Sequence, residues 1–266
     1  MCKEWKYFLL ALGFFTRIPV PSFADFQESD LNHSAKYFPL IGIIVGLVGA
    51  ASFFLSVQFF PQTIAVLISI ASTIYLTGAF HEDGLADSAD GLGGGWDKER
   101  ILTIMQDSRL GTYGAIALVL VLLAKFEMLN ALSPVVIPAI LVAGHALSRL
   151  CAVWVMATLT YTKLDGKAKP LATHIKGSQL LLANFFGLMP FVLIIVLLLI
   201  AEHSWLVIIQ FVLLTLLPML ISWVWWRAKI KKWLGGYTGD TLGAMQQITE
   251  LAFYLGVLAW VSGLNS

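Results

Sequence analysis

The sequence contains few charged residues. Asp, Glu, Lys and Arg make up only 12% of its 266 residues, whereas soluble domains carry about 25%. Hydrophobic residues make up 58%, so the chain is expected to be one integral-membrane domain over residues 1–266, in contact with membrane lipid. A net charge of +1 provides no broad basic surface, so no nucleic-acid partner is expected. Assembly into a homo-oligomer is compatible with this composition.

Cysteine is also scarce. Cys2 and Cys151 lie far apart, and Cys151 falls in an apolar run, so no disulfide framework is expected. The five histidines show no Cys/His spacing typical of zinc sites.

Long apolar runs predict an all-α fold, a polytopic membrane helical bundle. Seven runs have the length and composition of membrane-spanning helices. Residues 1–15 are too short to span comfortably and predict an interfacial or re-entrant helix. Gly42, Gly46 and Gly49 form a small-residue face suited to close helix packing. The seven predicted spans are 37–60, 63–80, 111–130, 135–159, 180–200, 205–226 and 241–263.

Among the segments that connect the predicted spans, only alternate ones carry basic residues. Loops 16–36, 81–110, 160–179 and 227–240 carry Lys and Arg, whereas the intervening turns carry none. The positive-inside rule places the basic loops in the cytoplasm, which predicts an inner-membrane protein with its site on the cytoplasmic face.

Acidic residues are concentrated in one polar stretch, residues 79–114. Asp83, Asp87 and Asp90 have i, i+4, i+7 spacing, which places them on one face of a helix. The residues between them are small, so a bulky ligand could approach the backbone. Clustered carboxylates repel one another unless a cation lies among them, and hard oxygen ligands suit Mg²⁺, with Mn²⁺ as a substitute. The alternative is a solvated acidic loop between membrane helices.

Two further residues extend this pattern. Asp107 precedes the third predicted span, and a helical hairpin would bring it beside the first three acids as a fourth metal ligand. Arg109 is a candidate diphosphate clamp, because a guanidinium group binds phosphate bidentately. A residue that only sets membrane topology is the alternative for Arg109.

A second candidate site is the glycine-rich loop before the last predicted span. Gly236, Thr238 and Gly239 are candidate phosphate-binding residues, since glycine-rich loops that open onto a helix expose backbone N–H groups. Asp240 is either a catalytic carboxylate or, like Thr238, a helix cap. The predicted active-site loops are therefore 81–110 and 227–242.

Ionisable residues within the predicted spans are the remaining candidates. Glu250 is expected to face the bundle, because a bare carboxylate is costly there, and either to pair with a cation or to complete the metal or base system. Arg149 is expected to line a substrate cavity, with a structural ion pair as the alternative. Lys125 and Glu127 are expected to lie near the outer interface and snorkel.

Several motifs together resemble the cobalamin synthase family, the adenosylcobinamide-GDP ribazoletransferases. They are HEDGLADSADG (81–91), IMQDSRLGTYG (104–114), GGYTGDTLGA (235–244), FFTRIPVP (14–21) and KYFPLIG (36–42). The resemblance implies the final step of adenosylcobalamin (vitamin B12) biosynthesis: transfer of adenosylcobinamide phosphate from adenosylcobinamide-GDP to α-ribazole or α-ribazole 5′-phosphate, with release of GMP. It implies Mg²⁺ on the diphosphate, held by Asp83, Asp87, Asp90 and Asp107.

Two other functions remain open from the residues. Asp87-x-x-Asp90-Gly91 is similar to part of the motif of CDP-alcohol phosphotransferases. In that family a pair of Asp residues comes later in the chain, whereas here no second Asp follows Asp107 by four. A cation transporter with an acidic vestibule is less favoured, because transporters place their acids near the bilayer midplane.

Overall fold

The computed structural model describes residues 3–23, 27–162, 175 and 177–264. Within these residues the fold is all-α, as predicted, and contains no strand; one isolated bridge pairs Tyr161 with Tyr237. The helices are α1 (Lys3–Phe15), α2 (Glu28–Ser34), α3 (Phe38–Ser56), α4 (Gln62–Thr77), α5 (Phe80–Gly94), α6 (Lys98–Met105), α7 (Thr112–Asn130), α8 (Ile137–Thr158), α9 (Gly177–Ile200), α10 (Trp205–Leu234) and α11 (Gly239–Leu264).

The helices confirm a polytopic membrane bundle. Among the described residues six helical segments are long and apolar enough to cross a membrane, and the bent pair α4–α5 raises the number to seven. Helix α8 is the most buried of these spans, whereas α9 and α10 expose many large apolar side chains. Four lysines that contributed to the predicted orientation, at positions 163, 167, 169 and 176, lie outside the described residues.

The predicted second span does not continue straight into the acidic helix. Helices α4 and α5 are bent by 85° at a break between them. Gly78 and Ala79 both have left-handed backbone conformations there, with φ of 67° and 60°. Such a conformation is rare for alanine, and so the sequence around position 79 does not suggest it. The break separates the acidic residues from the membrane-spanning part of α4.

The glycine face of α3 packs as predicted. Gly42 lies against the backbone of His145 in α8, and a Cβ added at Gly46 would lie 2.6 Å from the Cα of Val142. Gly49 faces α4, where a Cβ would lie 2.8 Å from Thr73 Cγ2. Small residues therefore let α3 approach both neighbours closely.

The N-terminal helix α1 has 13 residues and spans about 20 Å, less than the roughly 30 Å of a bilayer core. It is held by polar contacts: Lys6 pairs with Asp30 at 2.9 Å, and Glu4 pairs with Lys36 at 2.6 Å. The predicted short helix is present and packs against α2 and α3.

Candidate active site

Helices α5 and α11 touch through glycine. A Cβ added at Gly84 would lie 2.8 Å from the carbonyl oxygen of Asp240, and one added at Gly243 would lie 3.3 Å from the Cα of His81. Gly84, one of the small residues between the acids of α5, therefore allows α11 to approach closely. This crossing brings Asp240, at the start of α11, beside the acidic face of α5.

The acids at this crossing repel one another. Asp83, Asp240 and Asp90 all lie close enough to Asp87 to act on its charge, and Asp83 also acts on Asp240. Asp83 is exposed, whereas Asp87 and Asp240 are half-buried. Within the described part of the chain no basic side chain forms an ion pair with Asp83, Asp87 or Asp240. The crossing is a site of uncompensated negative charge.

Asp90 lies on the same helix but is engaged differently. Its two carboxylate oxygens accept hydrogen bonds from the backbone N–H groups of Gly111 at 2.8 Å and Gly114 at 2.9 Å. A side chain at either glycine would collide with this carboxylate. Asp90 thus caps the N-terminus of α7 from a neighbouring helix. The Gly-x-x-Gly spacing at 111–114 is the sequence signal for this role, which sequence reasoning missed.

Asp107 pairs with Arg109 and not with the acids of α5. The Arg109 guanidinium donates to the Asp107 carboxylate at 2.6 Å and lowers the pKa of Asp107 to about 2. No acid of α5 is among the charges that act on Asp107. The Arg109 side chain is 87% exposed. The expected placement of Asp107 beside the first three acids is therefore not seen.

Protein ligands alone do not assemble a complete metal site. Among the described residues no group of three or more His, Cys, Asp or Glu side chains is arranged to hold a metal ion. Asp83 and Asp87 remain the accessible carboxylates of α5, and any metal held there would take further oxygen ligands from substrate and water.

The glycine-rich loop before α11 is held mainly by backbone contacts with residues 160 and 162. Tyr237 donates its backbone N–H to the Thr160 carbonyl at 3.0 Å and accepts from the Thr162 N–H at 2.8 Å. Gly236 packs directly against the Thr160 carbonyl, where a side chain would not fit. Gly239 has open space where a Cβ would be.

Thr238 caps α11. Its hydroxyl accepts from the Thr241 N–H at 3.2 Å, and the Thr241 hydroxyl accepts from the Thr238 N–H at 2.8 Å. This reciprocal cap satisfies the start of the helix without Asp240. The carboxylate of Asp240 interacts with the Thr238 side chain and lies near Asp83 and Asp87 of α5.

Behind the crossing lies a buried polar network centred on Glu250. Its carboxylate pairs with Lys125 at 3.0 Å, accepts from the Tyr254 hydroxyl at 3.0 Å, and contacts the side chains of Gln246 and His145. Glu250 therefore faces the bundle and pairs with a cation, which is the first of the two roles expected for it.

The prediction for Lys125 was wrong. Lys125 does not snorkel to an interface; it is 5% exposed and donates to Gln247 at 3.0 Å as well as to Glu250. Gln247 in turn donates to Glu82 at 3.0 Å. Glu127, two residues from Lys125, is exposed. The two adjacent glutamines inside an apolar span were the available sequence signal for this network.

Arg149 borders a small cavity of about 20 Å³ beside the crossing. The cavity is also bordered by Gly239 and by three phenylalanines, Phe15, Phe38 and Phe80. Arg149 is 2% exposed and donates to the His145 carbonyl at 3.1 Å. Arg149 therefore lines a cavity in the polar interior, and among the described residues it forms no ion pair with a carboxylate.

The fold and this site define a polytopic helical membrane protein with an acidic crossing at one end of its bundle. The chain belongs to the cobalamin-5-phosphate synthase family, whose model matches residues 7–258. It is 43% identical to an adenosylcobinamide-GDP ribazoletransferase of Ralstonia pickettii over 263 residues, and this alignment covers 98% of both chains. A protein of the same name from Shewanella amazonensis is 43% identical over 96% of both chains. No solved structure matches.

These relatives confirm the family that the motifs indicated. They also confirm the class of protein, an enzyme of the transferase type that acts in cobalamin biosynthesis.

Proposed function

We propose that this chain transfers the adenosylcobinamide phosphate moiety of adenosylcobinamide-GDP to α-ribazole or α-ribazole 5′-phosphate. The 5′-hydroxyl oxygen of the acceptor forms a bond to the phosphorus linked to cobinamide, the bond from that phosphorus to the bridging diphosphate oxygen breaks, and GMP leaves. Family membership and the names of the relatives support this reaction. The observation that carries the site assignment is the uncompensated acidic crossing of α5 and α11.

Asp83 and Asp87 would hold Mg²⁺, or Mn²⁺ in its place. Both carboxylates are accessible, and the negative charge around Asp87 suits a divalent cation. Such an ion, when bound, supplies charge neutralisation for the attacked phosphoryl group and the leaving oxygen. Asp90 and Asp107 are less suited to this role, because their carboxylates already bind the start of α7 and Arg109.

Asp240 is the carboxylate best placed to accept the proton of the acceptor hydroxyl. It lies next to Asp83 and is not needed as a helix cap, since Thr238 and Thr241 provide that cap. Glu82 is a weaker candidate, because it is buried and binds Gln247. Replacement of Asp240 by Ala is expected to lower turnover far more than folded yield.

Arg109 would bind the diphosphate from outside the crossing. Its exposed guanidinium lies in the turn before α7, and its pairing with Asp107 leaves most of the group open to solvent. Gly236 and Thr238 shape the loop beside the site, whereas Gly239 has room beside it for a bound ligand.

The enzyme would lie in the inner membrane with this site facing the cytoplasm. The support is the one-sided placement of the basic loops. Single cysteines at Lys98 and Ser178 should resist an impermeant thiol reagent in cells with a permeabilised outer membrane, whereas one at Ser133 should be labelled. Labelling at Lys98 would reverse the orientation.

The deciding experiment is GMP release by the detergent-purified protein. Adenosylcobinamide-GDP plus α-ribazole should yield GMP and the cobalamin product, and EDTA should stop the reaction until Mg²⁺ is restored. A CDP-alcohol with a lipid acceptor should give no CMP. CMP release without GMP release would replace this proposal with a lipid phosphotransferase.

A further inference from the structure

The last turns of α10 carry four basic residues, Arg227, Lys229, Lys231 and Lys232. Among the residues that the structure describes, none of the four forms an ion pair with a carboxylate. The Arg227 guanidinium is held by the chain itself, since it donates to the Thr158 hydroxyl at 2.8 Å and to the Thr158 carbonyl at 3.1 Å. The end of α10 is therefore a site of uncompensated positive charge.

Two of the lysines share one face of α10 with two exposed tryptophans. This basic-aromatic face consists of Trp225, Lys229, Lys232 and Trp233, at i, i+4, i+7 and i+8. The tryptophan side chains are 53% and 39% exposed. Ile230 and Leu234, on the other side of the helix, are fully buried against the bundle. The basic-aromatic face is therefore turned away from the rest of the protein.

Each lysine of this face lies over a neighbouring indole ring. Lys229 Nζ is 5.3 Å from the centroid of the Trp225 ring, and Lys232 Nζ is 5.5 Å from that of Trp233. These contacts orient the ammonium groups but leave their charge uncompensated. Tryptophan is enriched where a membrane meets water, because its ring is apolar and its N–H is polar.

The length of α10 places this face at the depth of lipid headgroups. Thirty residues of helix span about 45 Å, whereas the hydrocarbon core of a bilayer is about 30 Å thick. With Trp205 at one edge of that core, about ten residues at the other end of α10 extend beyond it. On the side of the basic-aromatic face, the preceding turns expose Leu214 and Ile221. An apolar stripe therefore leads directly to the two lysines.

We infer that the basic-aromatic face of α10 binds an anionic phospholipid. The lipid phosphate contacts Lys229 and Lys232, and the acyl chains lie along Leu214 and Ile221. Clustered lysines beside a membrane span attract anionic headgroups. A second copy of the chain is less suited to this face, because two such faces in a symmetric contact would oppose like charges. A soluble phosphate would leave the apolar stripe uncovered. The inference does not depend on the reaction proposed above.

The test is lipid binding to the full chain, purified and delipidated in a non-ionic detergent. The protein is titrated with phosphatidylglycerol or with phosphatidylcholine of the same acyl chains, and bound lipids are counted by native mass spectrometry. Phosphatidylglycerol should bind about tenfold more tightly or better, and high salt should reduce this preference. Equal binding of the two lipids by the wild type would overturn the inference.

A double variant assigns the preference to this face. Lys229→Gln with Lys232→Gln should reduce phosphatidylglycerol binding by about tenfold and leave phosphatidylcholine binding unchanged. Lys98→Gln with Arg100→Gln, at exposed positions of α6, removes the same charge elsewhere and should bind as the wild type. An unchanged preference in the first variant, or an equal loss in the control, would overturn the inference. Both substituted pairs are at the surface, and a Tm measurement checks that each variant is folded.

Two further measurements distinguish the lipid from other occupants of the face. Inorganic phosphate should not displace bound phosphatidylglycerol, because it makes no contact with the apolar stripe. Displacement by phosphate would make the face a general anion site. The oligomeric state in detergent should be the same for the wild type and for Lys229→Gln with Lys232→Gln. A change of oligomeric state in that variant would assign the face to a second copy of the chain and overturn the lipid site.

Discussion

Helix α11 carries two carboxylates in opposite situations. Asp240 at its start faces Asp83 and Asp87, and within the described residues these acids have no basic partner. Glu250, further along the same helix, is fully buried and pairs with Lys125 at 3.0 Å.

The difference follows from solvation. A carboxylate surrounded by apolar helices is very costly unless it is paired and hydrogen-bonded, which is the condition of Glu250. Near solvent, repulsion among several acids is tolerated, and a cation or a phosphate-bound metal relieves it. Paired charge on α11 therefore holds the bundle together, and unpaired charge is available for a ligand.

The largest effect is expected from substitution of an acid that has no basic partner. Asp83→Asn and Asp87→Asn should each reduce transfer by more than about 100-fold, because Asn keeps the shape but removes the charge that holds a divalent cation. Removing a repelling charge should leave stability unchanged or slightly raised. Added Mg²⁺ should raise the Tm of the wild type much more than that of either variant.

Glu99→Gln, at an exposed position of α6, is the matched control for both variants and should keep full activity. Equal Mg²⁺ stabilisation of wild type and Asp87→Asn, with transfer retained, would refute the metal site.

Loss of a paired charge should act on stability instead. Lys125→Met leaves Glu250 without its lysine in the bundle interior, and should lower the free energy of unfolding by about 3 kcal/mol. The double variant Lys125→Met with Glu250→Gln should regain part of this loss, since no bare charge remains. Denaturant titration in mixed micelles measures both, and a wild-type value for Lys125→Met would show that the pair contributes nothing.

Asp90 is intermediate between these two cases, because its carboxylate is bound by backbone N–H groups and not by a basic side chain. Asp90→Asn has one acceptor oxygen for the two N–H groups of Gly111 and Gly114, so it should cost about 1–2 kcal/mol of stability. Transfer by the folded fraction should fall far less than in Asp87→Asn. Similar loss of transfer in the two variants, at wild-type stability, would make Asp90 a metal ligand as well.

The smallest effect is expected at the exposed pair of Asp107 and Arg109. Arg109→Gln should leave the Tm unchanged, because a solvent-exposed ion pair contributes little to stability. The KM for adenosylcobinamide-GDP should rise, by less than about tenfold, through loss of a diphosphate contact. Lys98→Gln, on an exposed residue of the same polar stretch, is the control, and an unchanged KM for Arg109→Gln would reduce Arg109 to a topology residue.

Local sequence patterns determined much of this protein. The lengths of the apolar runs predicted the spans. A helix satisfies its own backbone polar groups in lipid, and the thickness of the bilayer sets how many apolar residues it needs. The spacing of Asp83, Asp87 and Asp90 placed them on one helix, and the glycines of α3 marked a packing face. Glu250 could be expected to have a partner, since an unpaired carboxylate is not tolerated there.

Only the tertiary structure decided which of these residues meet. Asp87 and Asp90 share the same predicted face of α5, yet α7 lies over Asp90 and binds its oxygens, whereas Asp87 is half-buried and not bound by α7. The lysine partner of Glu250 is 125 residues away in the chain, in α7. The break at Ala79 is equally hidden, because a left-handed alanine is held by its surroundings and not by its own preference. Periodicity describes one helix at a time, and the contacts between helices depend on how all of them pack.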